Sequence, residues 1–147
     1  MSVVALWHEA KRQAFPYVEV QQRYTWEENL AFFETYLLLT CKLWVAEEAG
    51  EPLGFMALRR GWIDQLFVRV DRQGQGIGSA LIAKAKELTD CDLDLFAFEK
   101  NHGARTLYER HGFEVVSFGV SPPPENEPHV RYRWHTGQRL WDTSRPR

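Results

Sequence analysis

Glycines at three alternate positions, Gly74, Gly76 and Gly78, separate an apolar stretch from a segment of helical periodicity. No other feature of the chain narrows the fold as far. Before them, residues 62–70 are rich in β-branched and aromatic side chains and read as a strand buried on both faces. After them, Ile77, Ala80, Leu81, Ala85 and Leu88 fall on one face at helical spacing. Residues 92–98 then alternate, with Leu93, Leu95 and Ala97 on one side and Asp92, Asp94 and Phe96 on the other. Strand, glycine loop, helix and strand together make a βαβ unit.

The flanks extend this unit. Val3, Leu6, Trp7, Ala10 and Ala14 give residues 3–15 one apolar helical face, which Pro16 ends. Thr25 and Glu28 have capping-box spacing and open a second helix to about residue 38, striped by Trp26, Leu30, Phe33 and Leu37. Residues 42–47 and 52–60 read as a hairpin around the turn cluster at 48–51. Ala104, Leu107, Tyr108 and His111 share a face of a further helix, and Gly112 suits its left-handed end. A strand at 113–120, a loop with four prolines at 121–128 and an extended return at 130–134 complete the pattern.

With 147 residues, the chain predicts one domain over 1–147, a size at which folding buries about 68–70% of the surface. Apolar residues at 44% and aromatic residues at 14% exclude a disordered chain. No apolar run approaches the roughly 20 residues that cross a bilayer, and the start lacks the basic lead of a signal peptide, which predicts a cytoplasmic protein with no membrane partner. A net charge of −2 without an aromatic-laced basic run argues against nucleic acid. Cys41 and Cys91 have neither CxxC spacing nor adjacent histidines and read as buried free thiols, while the five histidines are scattered, so no metal is expected.

A loop such as Gln73-Gly74-Gln75-Gly76-Ile77-Gly78-Ser79 at a helix mouth is suited to a diphosphate. Glycines let the backbone approach an anion and adopt positive φ, and the first-turn amides and the helix dipole favour negative charge. A Walker loop needs lysine after its last glycine, but Ser79 and Ala80 stand there. A dinucleotide fingerprint spaces its glycines GxGxxG, whereas these run GxGxG. A glycine-rich turn without a ligand is the plain alternative.

Residues 73–78 match the Q/R-x-x-G-x-G/A signature of the GNAT superfamily of N-acetyltransferases, which the chain therefore resembles. A second block agrees: Asn101, Ala104, Leu107-Tyr108 and Gly112-Phe113 are similar to the family's later N…A…(L/F)Y…GF pattern. The resemblance covers about residues 25–120. It implies an α/β fold of the α+β kind: a mixed, mostly antiparallel sheet with helices on both faces, splayed between the family's fourth and fifth strands, here 62–70 and 92–98. The family's usual first strand has no room before the first helix. The cofactor-binding core would span about 62–113, followed by a tail at about 135–147.

By the same resemblance, acetyl-coenzyme A is the co-substrate. Its pantetheine arm would pair with the backbone of Leu66, Phe67 and Val68, and its diphosphate with Gln73, Gly74, Gln75, Gly76, Ile77, Gly78 and Ser79. Asn101 would hydrogen-bond the cofactor, or else cap the helix after it. Tyr108 matches the tyrosine that protonates the departing thiolate in many relatives; its plain alternative is a core tyrosine. Asp64, where relatives often carry an acid, is the candidate base, with burial beside Trp62 favouring its neutral form, or else a salt-bridged strand-end aspartate. Glu27, Glu28 and Glu34 could line an acceptor cleft, or form a solvated helix face. The implied reaction is direct attack of an amine on the thioester without a covalent enzyme intermediate, so neither cysteine takes part. Acceptor recognition would lie in 16–39 and 121–130. The alternative is an acyl-coenzyme A binding module that catalyses nothing. Trp134 and Trp141 look exposed and would allow a homodimer.

Overall fold

The computed structural model describes residues 1–137. Helix α1 (Val3–Ala14) starts where Ser2 Oγ accepts from the Ala5 amide at 3.1 Å, and it ends at Phe15, ahead of Pro16. Leu6, Trp7 and Ala10 are buried as their spacing predicts, and Lys11 is buried with them. A short helix α2 (Glu19–Arg23) fills the connection; five residues are too few to display a period, and the sequence did not reveal it. Helix α3 (Trp26–Phe32) opens on a reciprocal Thr25–Glu28 capping box. It continues through a π-helical turn (Phe33–Leu37) into a last turn, α4 (Leu38–Thr40).

The sheet is built from β1 (Lys42–Glu48), β2 (Glu51–Arg59), β3 (Trp62–Val68), β4 (Leu93–Phe98), β5 (Glu114–Val120) and β6 (Pro128–Trp134). Its order is β1-β2-β3-β4-β6-β5, and every neighbouring pair is antiparallel except β3 with β4. Helix α5 (Ile77–Leu88) makes the β3-to-β4 crossover, and α6 (His102–Arg110) follows β4. Among the described residues no strand precedes α1, and no helix is long and apolar enough to cross a membrane.

Alternation along β2 divides the core. Phe55 and Ala57 pack with Leu6, Trp7, Phe33 and Leu37 on one face, whereas Met56 joins Ile63, Leu81, Ile82, Ala85, Leu95 and Tyr108 on the other. Helices thus cover both faces. Gly54 lets α5 approach: a Cβ there would meet Phe67 O at 3.0 Å and Ile77 Cγ2 at 3.1 Å.

Strands β3 and β4 are in register only at Trp62 and Asp94, where the Asp94 amide donates to Gly61 O at 2.8 Å; beyond that pair the sheet opens into a V. The expected strand at 62–70 ends at Val68, and a 3₁₀ turn, Val70–Arg72, follows. Apart from buried Ile63, its residues are half-buried rather than covered on both faces, because one edge borders the opening.

Asp94 closes the base of the V. Its carboxylate accepts from Arg131 Nε and Arg133 Nε, each at 2.7 Å. Burial pushes its pKa upward, but the hydrogen bonds and charges of Arg133 and Arg131 outweigh that and hold it below the usual aspartate range. Arg131 also lies over the Trp62 ring at 4.9 Å.

Two surface expectations are corrected. Trp134 is buried, 4% exposed, beside Gly112 and under Lys86, so it offers no dimer contact. Trp141 lies outside the described residues. Cys41 and Cys91 are free but only half-buried, Cys41 at the edge of the core cluster around Leu37 and Phe55, and Cys91 beside a surface opening next to Asp92.

Candidate active site

A cleft of about 1930 Å³ runs through the V, between α1 and β3 on one side and β4 and α6 on the other. All but one of the residues assigned to the cofactor or to the chemistry border it: Asp64, Leu66, Phe67, Val68, Gln73, Gly74, Gly76, Ile77, Gly78, Ser79, Asn101 and Tyr108. Gln75 is the exception. Its side chain turns outward to accept from Arg72 Nε at 3.0 Å, between two glycines of positive φ that turn the chain.

The glycine loop has the geometry its sequence demands. Gly74 and Gly76 have φ of +76° and +85°, and a Cβ at either would meet nothing within 4 Å, so an open cradle lies before the helix. Gly76 is the N-cap of α5 and supplies no side chain, which leaves the amides of Ile77, Gly78 and Ser79 without intrahelical acceptors. These residues fit a diphosphate. Gly78 also governs packing, since a Cβ there would meet Leu107 Cδ2 at 3.1 Å, and its absence sets the approach of α6 to α5. Ser79 Oγ lies 2.9 Å from His111 Nε2, and Gln73 Nε2 donates to Val68 O at 3.3 Å, tying the loop to the strand before it.

Leu66, Phe67 and Val68 pair with Met56, Phe55 and Gly54 of β2, while their other edge faces the V with no register partner on β4. A bulge precedes them. Ala57 opposes Gln65 and Leu58 opposes Ile63, so Asp64 is the extra residue, and the face of every later side chain on β3 depends on that insertion.

Asp64 itself is not poised as a free base. Arg59 Nε donates to its carboxylate at 3.0 Å and Cys41 Sγ lies 3.7 Å away, an ion-paired setting rather than an apolar pocket beside Trp62. The bulge accounts for this, since it turns the carboxylate toward Arg59 and Cys41. Asn101 caps α6, its Oδ1 accepting from the Ala104 amide at 3.3 Å, while the residue still borders the cleft. Tyr108 is 7% exposed and packs near Phe113 and Tyr132 at ring distances of 6.0 and 6.1 Å. Burial, with the Tyr132 charge adding, pushes its pKa up to about 12, so the phenol stays protonated at any physiological pH.

Away from the glycine loop, the cleft is walled by Trp7, Lys11, Tyr24, Asn29 and the 121–125 segment. Glu125 accepts from Gln21 Nε2 at 3.2 Å and from the Tyr24 hydroxyl at 3.3 Å. Glu28 is engaged in its capping box, and Glu27 and Glu34 lie off the cleft on exposed helix surface. Lys11 lies outside the stretches that sequence reasoning gave to the acceptor, whereas Tyr24 and Glu125 fall inside them without having been named. A lysine four residues after Trp7 on an otherwise apolar stripe is the signal that would have found Lys11.

The family model described as "Acetyltransferase (GNAT) domain" matches residues 40–115. The chain is 32% identical to the peptidyl-lysine N-acetyltransferase YjaB of Salmonella typhimurium, over 78% of this chain and 76% of that one. It is 33% identical to the "Probable N-acetyltransferase Rv2775" of Mycobacterium tuberculosis over 62% of this chain, a match that spans only 59% of that relative. Its fold is similar to that of yncA from Salmonella typhimurium, solved with its cofactor acetyl-coenzyme A, with a TM-score of 0.59 and 16% identity over 77% of this chain and 75% of that one. A splayed sheet, an open glycine cradle at a helix mouth and a family model covering half the sequence converge: the chain belongs to the GNAT acetyltransferases.

Proposed function

We propose that the protein transfers an acetyl group from acetyl-coenzyme A to an amine by direct attack within the V. One observation carries this reading: the unpaired edge of β3, the open glycine cradle and the Tyr108 side chain all border one cleft. The β3 edge offers amides to the pantetheine arm and to the thioester oxygen as it gains charge. The first-turn amides of α5 take the diphosphate. A yncA structure carrying acetyl-coenzyme A in the same fold supports the co-substrate.

In this reading the neutral amine adds to the acetyl carbonyl, the C–S bond breaks, and the sulfur takes the Tyr108 proton as it departs. A phenol near 12 is a weaker acid than the thiol near 8.5 it creates, so the proton moves only as charge builds on sulfur. The amine's own proton goes to a carboxylate of the cleft. Glu125 suits that role better than Asp64, because neutral donors hold it and no cation is paired with it among the described residues.

Thiol release from acetyl-coenzyme A, followed across a panel of primary amines, tests the assignment. Acetyl-coenzyme A binding without amine-dependent release would instead make the protein a non-catalytic binding module. Within an active panel, Glu125→Gln is expected to lower kcat/KM by about a hundredfold or more, and Asp64→Asn by only a few fold. The reverse order would restore Asp64 as the base. Tyr108→Phe should cut kcat at least about tenfold while acetyl-coenzyme A affinity and Tm hold, since the hydroxyl has no hydrogen-bond partner among the described residues to leave orphaned. Unchanged turnover would return Tyr108 to a packing role.

A further inference from the structure

Lys11 is the least expected group in the cleft. It is 7% exposed, and its Nζ donates to Asn29 Oδ1 at 2.7 Å and lies 3.7 Å from the Trp7 ring centroid and 5.3 Å from that of Tyr24. All of these partners are neutral. Burying an ammonium without an anion is costly, and among the described residues no carboxylate is in ion-pair contact with it. The titratable groups that act on it are His8 on its own helix, Tyr24, and Glu125 across the cleft, with Glu28 of α3 bordering the same cleft. His8 is engaged by Asn29 at 2.6 Å, Glu28 by Thr25, and Glu125 by Gln21 and Tyr24.

Tyr24 spans two opposite charges, with its ring near Lys11 and its hydroxyl on Glu125. A ligand carrying both an ammonium and a single anionic group complements that pair. Arg12, the next residue along, does not border the cleft, and one ammonium suits a carboxylate better than a phosphate, which draws more donors.

We propose that Lys11 forms a carboxylate subsite in the acceptor half of the cleft, so that the preferred acceptor is an amine bearing a carboxylate close to its nitrogen. This rests on the acetyl-transfer reading above. Two sources share the chemistry: a free amino acid, and a peptide lysine beside an acidic residue. Burial lowers the Lys11 pKa to about 8, with the Glu125 charge opposing the shift. The subsite is therefore fully charged below that value and fades as pH rises through it, and a bound carboxylate, which favours the charged form, moves the loss to higher pH.

The test compares matched amines: tyrosine with tyramine, lysine with cadaverine, and two peptides whose lysine is flanked by glutamate or by glutamine. The carboxylate-bearing member of at least one pair is expected to be favoured about tenfold to a hundredfold in kcat/KM, a charge-assisted hydrogen bond's worth. The pairs that show the preference identify the source. Lys11→Met should collapse that ratio toward one, with acetyl-coenzyme A affinity measured alongside by calorimetry. Equal use of both members in every pair overturns the proposal, as does a Lys11→Met loss confined to cofactor binding, which would give the lysine to coenzyme A. A second readout needs no turnover: in the intact protein, NMR titration of Lys11 should move upward with tyrosine and not with tyramine. If it is unmoved by any of the carboxylates, the subsite is absent even where acetyl-coenzyme A binds normally, so its failure is separate from that of the transferase reading.

Discussion

Gly76→Asp is expected to abolish measurable acetyl-coenzyme A binding, a loss of at least about a hundredfold or ~2.7 kcal/mol, while the protein still folds. The two effects separate for a physical reason. At the mouth of α5 an aspartate can accept from the orphan first-turn amides, a favourable arrangement for a helix N-terminus, and aspartate tolerates positive φ better than most residues. The same carboxylate then occupies the donors that a diphosphate needs and repels it. Gly76→Ala is the control. Its Cβ meets nothing within 4 Å, so it carries only a left-handed strain of about 1 kcal/mol and should bind acetyl-coenzyme A within about tenfold of the parent. Calorimetry showing tight binding by the aspartate variant would move the diphosphate elsewhere.

The largest effect on stability is expected at Asp94. Its carboxylate is buried at the base of the V and shared by Arg131 and Arg133, so Asp94→Ala leaves two part-exposed guanidinium groups without their common anion. Arg131 and Arg133 keep 34% and 33% of their side-chain surface exposed, so water screens the orphaned charges and the loss stays below that of a fully buried pair, lowering Tm by about 5 °C in a domain of this size. Replacing all three residues with apolar ones, Asp94→Leu, Arg131→Met and Arg133→Leu together, should recover much of the loss. The pH dependence has a definite sign. A carboxylate held below its ordinary value contributes stability that is present above about pH 3.9 and lost as pH falls through the lowered value. Thermal melts of the parent and Asp94→Ala should therefore converge in acid, and parallel curves down to pH 2 would remove the ion cluster from the stability argument.

Much of this molecule is legible in its residues alone. Period-two alternation places Leu93, Leu95 and Ala97 inward, and all are buried. Capping chemistry locates the start of α3, and glycine spacing locates the cradle. Insertions and partner choice are harder to read. The bulge at Asp64 depends on the pairing of β3 with β2, which no local pattern reports, and it turns the candidate base toward Arg59. Gln75 faces outward because two left-handed glycines around it reverse the chain, and α2 is too short to carry a period. Trp134 looks exposed as part of a chain end, yet β6 lies inside the sheet between β4 and β5. Lys11 is hidden by the rule that charged residues face water, although its position on the α1 stripe marks it as inward.

The single pair between β3 and β4 has a consequence for how sequence can drift. A ligand arm that lies along a strand's free main chain is read through peptide groups, which every residue carries alike. With the cofactor site as proposed, Leu66 and Val68 could therefore exchange for other aliphatic side chains with little effect on which coenzyme is held, while a proline at either would delete a main-chain donor outright. Tolerance in the alphabet and intolerance in the backbone should coexist along the same seven-residue strand.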